Sequence, residues 1–163
     1  MGSINLSPLG MVEAKADTNA SITIGGVTIN LNSHDAPKYA LVTGDTVTIV
    51  EAPGDAYNIK IEYVGGWPDS YYKATLKDMN YTGATTSVDD KEVAMYISIP
   101  WVEGIVDIVE SNSICGSVEN ESIGMYIDVQ DKCTFTGSGT LTVGDNTGNY
   151  ATGLYVAQVS MTI

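Results

Sequence analysis

The sequence predicts an all-β fold: a single β-sandwich of jelly-roll or immunoglobulin-like type, preceded by an extended N-terminal arm. Three observations carry this. Apolar side chains recur at every second position in most segments, the signature of a half-buried strand. Clusters of Gly, Pro, Asn and Asp, such as APGDA, GGWPDS and GDNTGN, separate those segments at short intervals. No stretch sustains the 3.6-residue apolar period of an amphipathic helix.

Taken in order, residues 1–20 form the arm. Ile4, Leu6, Leu9, Met11 and Val12 are spaced apolar knobs, while Pro8 and Gly10 exclude a central strand. The sandwich domain spans residues 21–163. SITIGGVTINL places Ile22 and Ile24 on one face, and Val27, Ile29 and Leu31 follow after Gly25-Gly26, a bulge or a turn. TVTIV follows the turn signal Gly44-Asp45. YNIKIEYV alternates Tyr57, Ile59, Ile61 and Tyr63 against polar partners; YYKATLKDM does so more weakly. TTSVDDKEVAMY, with Ser87 placed as an N-cap before Asp89, Asp90 and Glu92, is compatible with one helical turn. AMYISI, GIVDIVE, SIGMYIDV and CTFTGSGTLTV read as further strands, and residues 148–163 as one last apolar strand. No linker stands out along the chain, so one domain is expected, and no repeat of 20–50 residues is evident.

Charge narrows the function classes. Seven basic residues face twenty acidic ones, a net charge of −13. Such a surface repels phosphate backbones and anionic membranes, so neither nucleic acid nor membrane insertion is expected. No run of apolar residues is long enough to span a bilayer as a helix. The same acidity supplies oxygen ligands for Ca²⁺, with Asp89 and Asp90 beside Glu92, and Asp128 with Asp131, as candidates; Asp145 and Asn146 offer another pair. None of these stretches has the spacing of a twelve-residue calcium loop, and no cofactor is expected.

Catalysis finds no foothold. His34 is the one histidine and sits in a turn-like stretch beside Asp35, with no Gly-x-Ser-x-Gly elbow to supply a serine. The expectation is that the protein is not an enzyme. Trp67, Tyr71, Tyr72 and Trp101 lie near turn signals and offer a sugar-stacking platform or, alternatively, packing over a sheet edge. Cys115 and Cys133 enclose seventeen residues and fit no zinc pattern. A disulfide between them is expected, worth about 3 kcal/mol by chain entropy. Asn5, Asn19, Asn80 and Asn120 each begin an N-x-Ser/Thr sequon, as in an exported glycoprotein.

Two stretches resemble known families. GTLTVG and GNYATGLYVAQVSMTI look like the end of bacterial pilin-type domains, where a turn precedes a last apolar strand. GGVTINLN followed by LVTGDTVTIV and IEYVGG is similar to the TasA/camelysin family and its archaeal bundling-pilus relatives, with Thr43 where Pro is usual. Both resemblances imply a sandwich whose extended segment complements a neighbouring subunit. The expectation is therefore an extracellular or cell-surface structural subunit. It would form a helical homopolymer with other copies of itself by donor-strand complementation, with Ile4, Leu6, Leu9 and Met11 as the inserting residues. A carbohydrate-binding module and a virion or phage-tail structural protein are the alternatives.

Overall fold

The computed structural model describes residues 19–66, 68–116, 122–145, 152–157 and 160–163. The arm knobs Ile4, Leu6, Leu9 and Met11 lie outside them, as do Asn5, Trp67 and Asn120. Within them the fold is all-β, in three sheets around a shared core.

The first five strands are antiparallel. β1 (Ala20–Ile24) and β2 (Val27–Leu31) form a hairpin, with Ile24 opposite Val27. Gly25 and Gly26 both take positive φ, 57° and 76°, as a two-residue type I′ turn requires, so this pair is a turn and not a bulge. β3 (Lys38–Thr43) and β4 (Thr46–Val50) form a second hairpin around Gly44-Asp45, and β5 (Ile59–Val64) pairs with the other side of β3.

Next come β6 (Tyr71–Lys77), β7 (Asn80–Tyr81), β8 (Thr86–Val88) and β9 (Lys91–Ile99). The stretch compatible with a helical turn is instead the β8–β9 hairpin. Asp89 and Asp90 both adopt positive φ, 50° and 64°, so these acids serve a turn and not a first helical turn.

From β6 onward the chain coils. β10 (Glu103–Val109), β11 (Ser111–Gly116) and β12 (Ser122–Val129) make a second coil. β13 (Lys132–Gly137), β14 (Thr140–Asp145) and β15 (Thr152–Ala157) make a third, and β16 (Ser160–Thr162) begins a fourth. Each coil stacks in parallel on the one before. The six-stranded sheet runs β15-β12-β9-β1-β2, with β8 also on β9. The seven-stranded sheet runs β16-β13-β10-β6-β5-β3-β4, and β14-β11-β7 make the third. The two large sheets pack over one core, as in a sandwich. Their later strands, however, join by coiling through the third sheet and pair in parallel, not by the Greek-key connections of a jelly roll.

Two sequence expectations change. Residues 148–163 are not one strand: β15 belongs to the six-stranded sheet and β16 to the seven-stranded one. A repeat also exists. Ala94-Met95-Tyr96-Ile97, Gly124-Met125-Tyr126-Ile127 and Gly153-Leu154-Tyr155-Val156 lie in register on adjacent strands, about 30 residues apart. Coil stacking explains the pattern: equivalent positions face the same side and meet the same neighbours.

The core draws on all three sheets. Ile22, Ile24, Met95, Ile97 and Ile127 come from the first, Ile59, Ile61, Leu76 and Val106 from the second, and Tyr81 and Ile114 from the third. The outer face of the seven-stranded sheet carries charge pairs instead: Lys60–Glu62 at 3.0 Å, and Lys73 at 3.8 Å from both Glu62 and Asp107. Alternation along the strands separates these two faces.

Candidate functional site

Among the described residues, two concavities and one aromatic row offer chemistry. The first concavity is a groove of about 750 Å³ at the antiparallel end. Its walls are β2 (Thr28, Ile29, Asn30) and β4 (Ile49, Val50), and its floor includes Pro37, Lys38 and Tyr39. β2 pairs only with β1 and β4 only with β3 among the described residues, so each wall ends in a free sheet edge. Neither VTINL nor TVTIV contains a charge or a proline, the usual protections of an edge. Ile49 is 49% exposed, and Leu41 on the adjoining strand 37%. Asn19 precedes β1, and its Oδ1 accepts a 2.9 Å bond from Asn32 Nδ2 just after β2.

The second concavity, about 660 Å³, lies at the corner where strands of the six-stranded sheet turn into the seven-stranded one. Tyr71 and Glu103 open adjacent parallel strands there. Trp101 comes from the β9–β10 turn, Asp131 from the β12–β13 turn, and Pro68, Asp69 and Ser70 from the loop before β6. Trp101 is 60% exposed. Tyr72, its sequence partner in the proposed platform, instead points into the core against Tyr63, with ring centroids 5.0 Å apart. Strand alternation forces this: Tyr71 and Tyr72 must face opposite sides.

The row crosses the outer face of the six-stranded sheet. The rings of Tyr96 and Tyr126 stand 5.2 Å apart, and those of Tyr126 and Tyr155 4.9 Å. The Tyr126 hydroxyl donates to Asp89 Oδ2 at 3.1 Å. Burial, with that bond and the charge of Asp89, pushes the Tyr126 hydroxyl up to about 12. Asp128 lies beside this row, and its Oδ1 is buried without a hydrogen-bond partner among the described residues. Burial first, and then the charge of Asp89, raises its carboxyl above the usual range; a hydrogen bond from Tyr96 opposes the shift.

A raised folded value means that the unfolded chain releases the Asp128 proton first as pH rises. This contribution to stability is therefore complete below about pH 4 and is lost as pH climbs through the raised folded value. Asp128→Asn is expected to stabilise the protein at pH 7 by about 1 kcal/mol. The gain over the parent should vanish at about pH 3, below the unfolded carboxyl's range, as read by urea unfolding at the two pH values. An equal gain at both would refute the titration account.

The remaining sequence candidates scatter. Cys115 is on β11 of the three-stranded sheet and Cys133 on β13 of the seven-stranded one; both are free thiols, so the expected disulfide is absent. Spacing in sequence carried no information about which sheet each strand joins. Burial, helped by Glu103, pushes the Cys133 thiol up to about 11, which keeps it protonated and unreactive at neutral pH. His34 is exposed in a turn and donates its backbone N–H to Asn32 Oδ1 at 3.2 Å. Asp35 accepts from the Asn32 backbone N–H at 3.0 Å and pairs with Lys38 at 3.6 Å. Asn19 and Asn80 are exposed. Among the calcium candidates Asp89 and Asp90 form the hairpin tip, Asp128 lies on the sheet face and Asp131 in the corner; among the described residues no group of three acidic, His or Cys side chains is placed to hold a metal ion. Asn146 lies outside them.

Sequence reasoning missed the tyrosine row; of the corner cleft it named Tyr71 and Trp101 but not the carboxylates beside them. Only the repeated small–Met/Leu–Tyr–Ile/Val pattern signalled the row, and nothing local signalled that Tyr71 and Trp101 share a cleft with Asp69, Glu103 and Asp131. No protein-family model, curated protein or solved structure matches this chain, so its reading rests on its own residues and geometry.

Proposed function

We propose that this protein is a structural subunit of an extracellular or cell-surface filament, joined to its neighbours by β-strand addition. The observation that carries the reading is the groove between β2 and β4. It is lined mainly by apolar atoms and flanked by two uncharged strands whose outer edges have no partner among the described residues. A strand laid there gains main-chain hydrogen bonds from an edge and apolar pockets for alternate side chains. The arm has the matching chemistry, since Ile4, Leu6, Leu9 and Met11 are spaced apolar residues. Each could contribute about 1.5–3 kcal/mol on burial, before the cost of ordering the arm. Because donor and acceptor are different surfaces, repeated contacts need not close and can grow a fibre. The acidic surface, the exposed Asn19 and Asn80 sequons and the pilin-like resemblance agree with an exported fibre.

Deletion of residues 1–16 is expected to leave a folded monomer by circular dichroism and sedimentation, while the full chain elongates under negative-stain microscopy. Ile49→Lys, at an exposed edge position, should likewise block elongation without unfolding the domain. Filaments from either variant, or a full chain that stays monomeric at high concentration, would sink the proposal.

A further inference from the structure

We propose that the corner cleft between Trp101, Tyr71 and the carboxylates of Asp69, Glu103 and Asp131 binds a neutral pyranose unit of a glycan. The inference is independent of the filament reading, because the cleft and the groove share no lining residue.

Trp101 is the first reason. A Trp that only packs over a sheet edge would be covered, yet this one is 60% exposed. It is held outward by its backbone. Val102 N donates to Pro100 O at 2.9 Å across Trp101, whose φ is 68°, which makes a three-residue turn centred on a bulky residue in the left-handed region. Large side chains rarely occupy that region, and such residues cluster at binding sites. A turn this tight fixes the direction of the Cα–Cβ bond, which aims the side chain out of the core toward the cleft.

The lining is the second reason. Tyr71, half-buried at the start of β6, adds a second aromatic surface to the same cleft. An aromatic face meets the C–H face of a pyranose, while carboxylates accept hydrogen bonds from its hydroxyls. Glu103 is already oriented: its Oε1 accepts from the Thr134 hydroxyl at 3.0 Å and lies 3.4 Å from Lys132 Nζ. Asp131 and Asp69 make no ion pair among the described residues, leaving acceptors available. Three carboxylates against one lysine exclude uronates, sialic acids and sulfated sugars by repulsion, and so select neutral rings. A methylated ammonium ligand would want several rings enclosing one point, whereas this cleft presents a Trp on its rim and a Tyr at its base.

The test uses the full chain and four neutral probes: cellohexaose, xylohexaose, mannohexaose and chitohexaose, titrated by calorimetry. At least one is expected to bind with a Kd of about millimolar or tighter. Trp101→Ala should weaken it by about tenfold or more, while Trp101→Tyr, which keeps a ring, should stay within about threefold of the parent. Thermal melting should be unaltered in both variants, since the side chain is outside the core. Should a variant melt early, Asp131→Asn, at an exposed turn, supplies the second reading and should also weaken binding. Deleting residues 1–16 should leave binding unchanged, separating this site from the filament reading. No binding by any of the four, equal binding by Trp101→Ala, or binding of a trimethyl-lysine peptide at the cleft in place of sugars would overturn the proposal.

Discussion

Asn112→Ala is expected to lower the melting temperature by about 5–12 °C, the effect of losing about 2–4 kcal/mol in a domain of this size. Asn112 is 1% exposed, at the corner between the seven-stranded and three-stranded sheets. Its Oδ1 accepts from Met79 N at 3.0 Å, in the preceding coil. Its Nδ2 donates to Val109 O at 2.9 Å, and more weakly to Thr140 O in the following coil at 3.5 Å. One amide thus ties three successive coils together where the ladders break. Alanine would strand the Met79 N–H in a dry corner, at the full cost of desolvating it. Asn112→Asp keeps the acceptor but loses both donors and buries a charge, so it should be at least as damaging. Calorimetric melting of the two variants decides the matter. A loss below about 0.5 kcal/mol would mean that water replaces the amide.

Gly137→Ala should cost about 3–5 kcal/mol. Gly137 ends β13 at φ 107°, a conformation closed to residues with a Cβ. It pairs with Ile108 across the parallel ladder. A Cβ there would run into the Ile108 carbonyl oxygen, and would stand 2.7 Å from Ile108 N and from Asp107 Oδ1. Two of these atoms are backbone held by the ladder, so the collision cannot be relieved by a rotamer change. Gly144→Ala is the control: it is also in a strand of the third coil, without positive φ and with no atom within 4 Å of the added carbon. That change should fall within about 0.5 kcal/mol of the parent. Similar denaturation midpoints for the two variants would show that Gly137 is not strained as described.

Turn chemistry was legible where it coincided with glycine. Gly44-Asp45 signalled a turn and Gly25-Gly26 a bulge or a turn, and both join hairpins. Asp89-Asp90 was not legible, because acidic residues after a Ser also describe a helix start; pairing of Thr86–Val88 with β9 settled the choice. The corner cleft was legible only in its aromatics, Tyr71 and Trp101 near turn signals, and not in its carboxylates or its place in the fold. Its lining comes from three turns separated along the chain and brought together by coil stacking.

By itself, the sequence determined that nearly every segment is a strand and which side chains of each strand are apolar, since a two-residue period acts locally. It also set the acidic surface that disfavours anionic partners. Only the tertiary structure decided which strands pair, in which direction and in which sheet. Alternation reports a face and never a neighbour, and parallel coils match residues about 30 positions apart. That long-range matching separates Cys115 from Cys133, splits the terminal strand in two, aligns the three tyrosines and places Trp101 beside Tyr71.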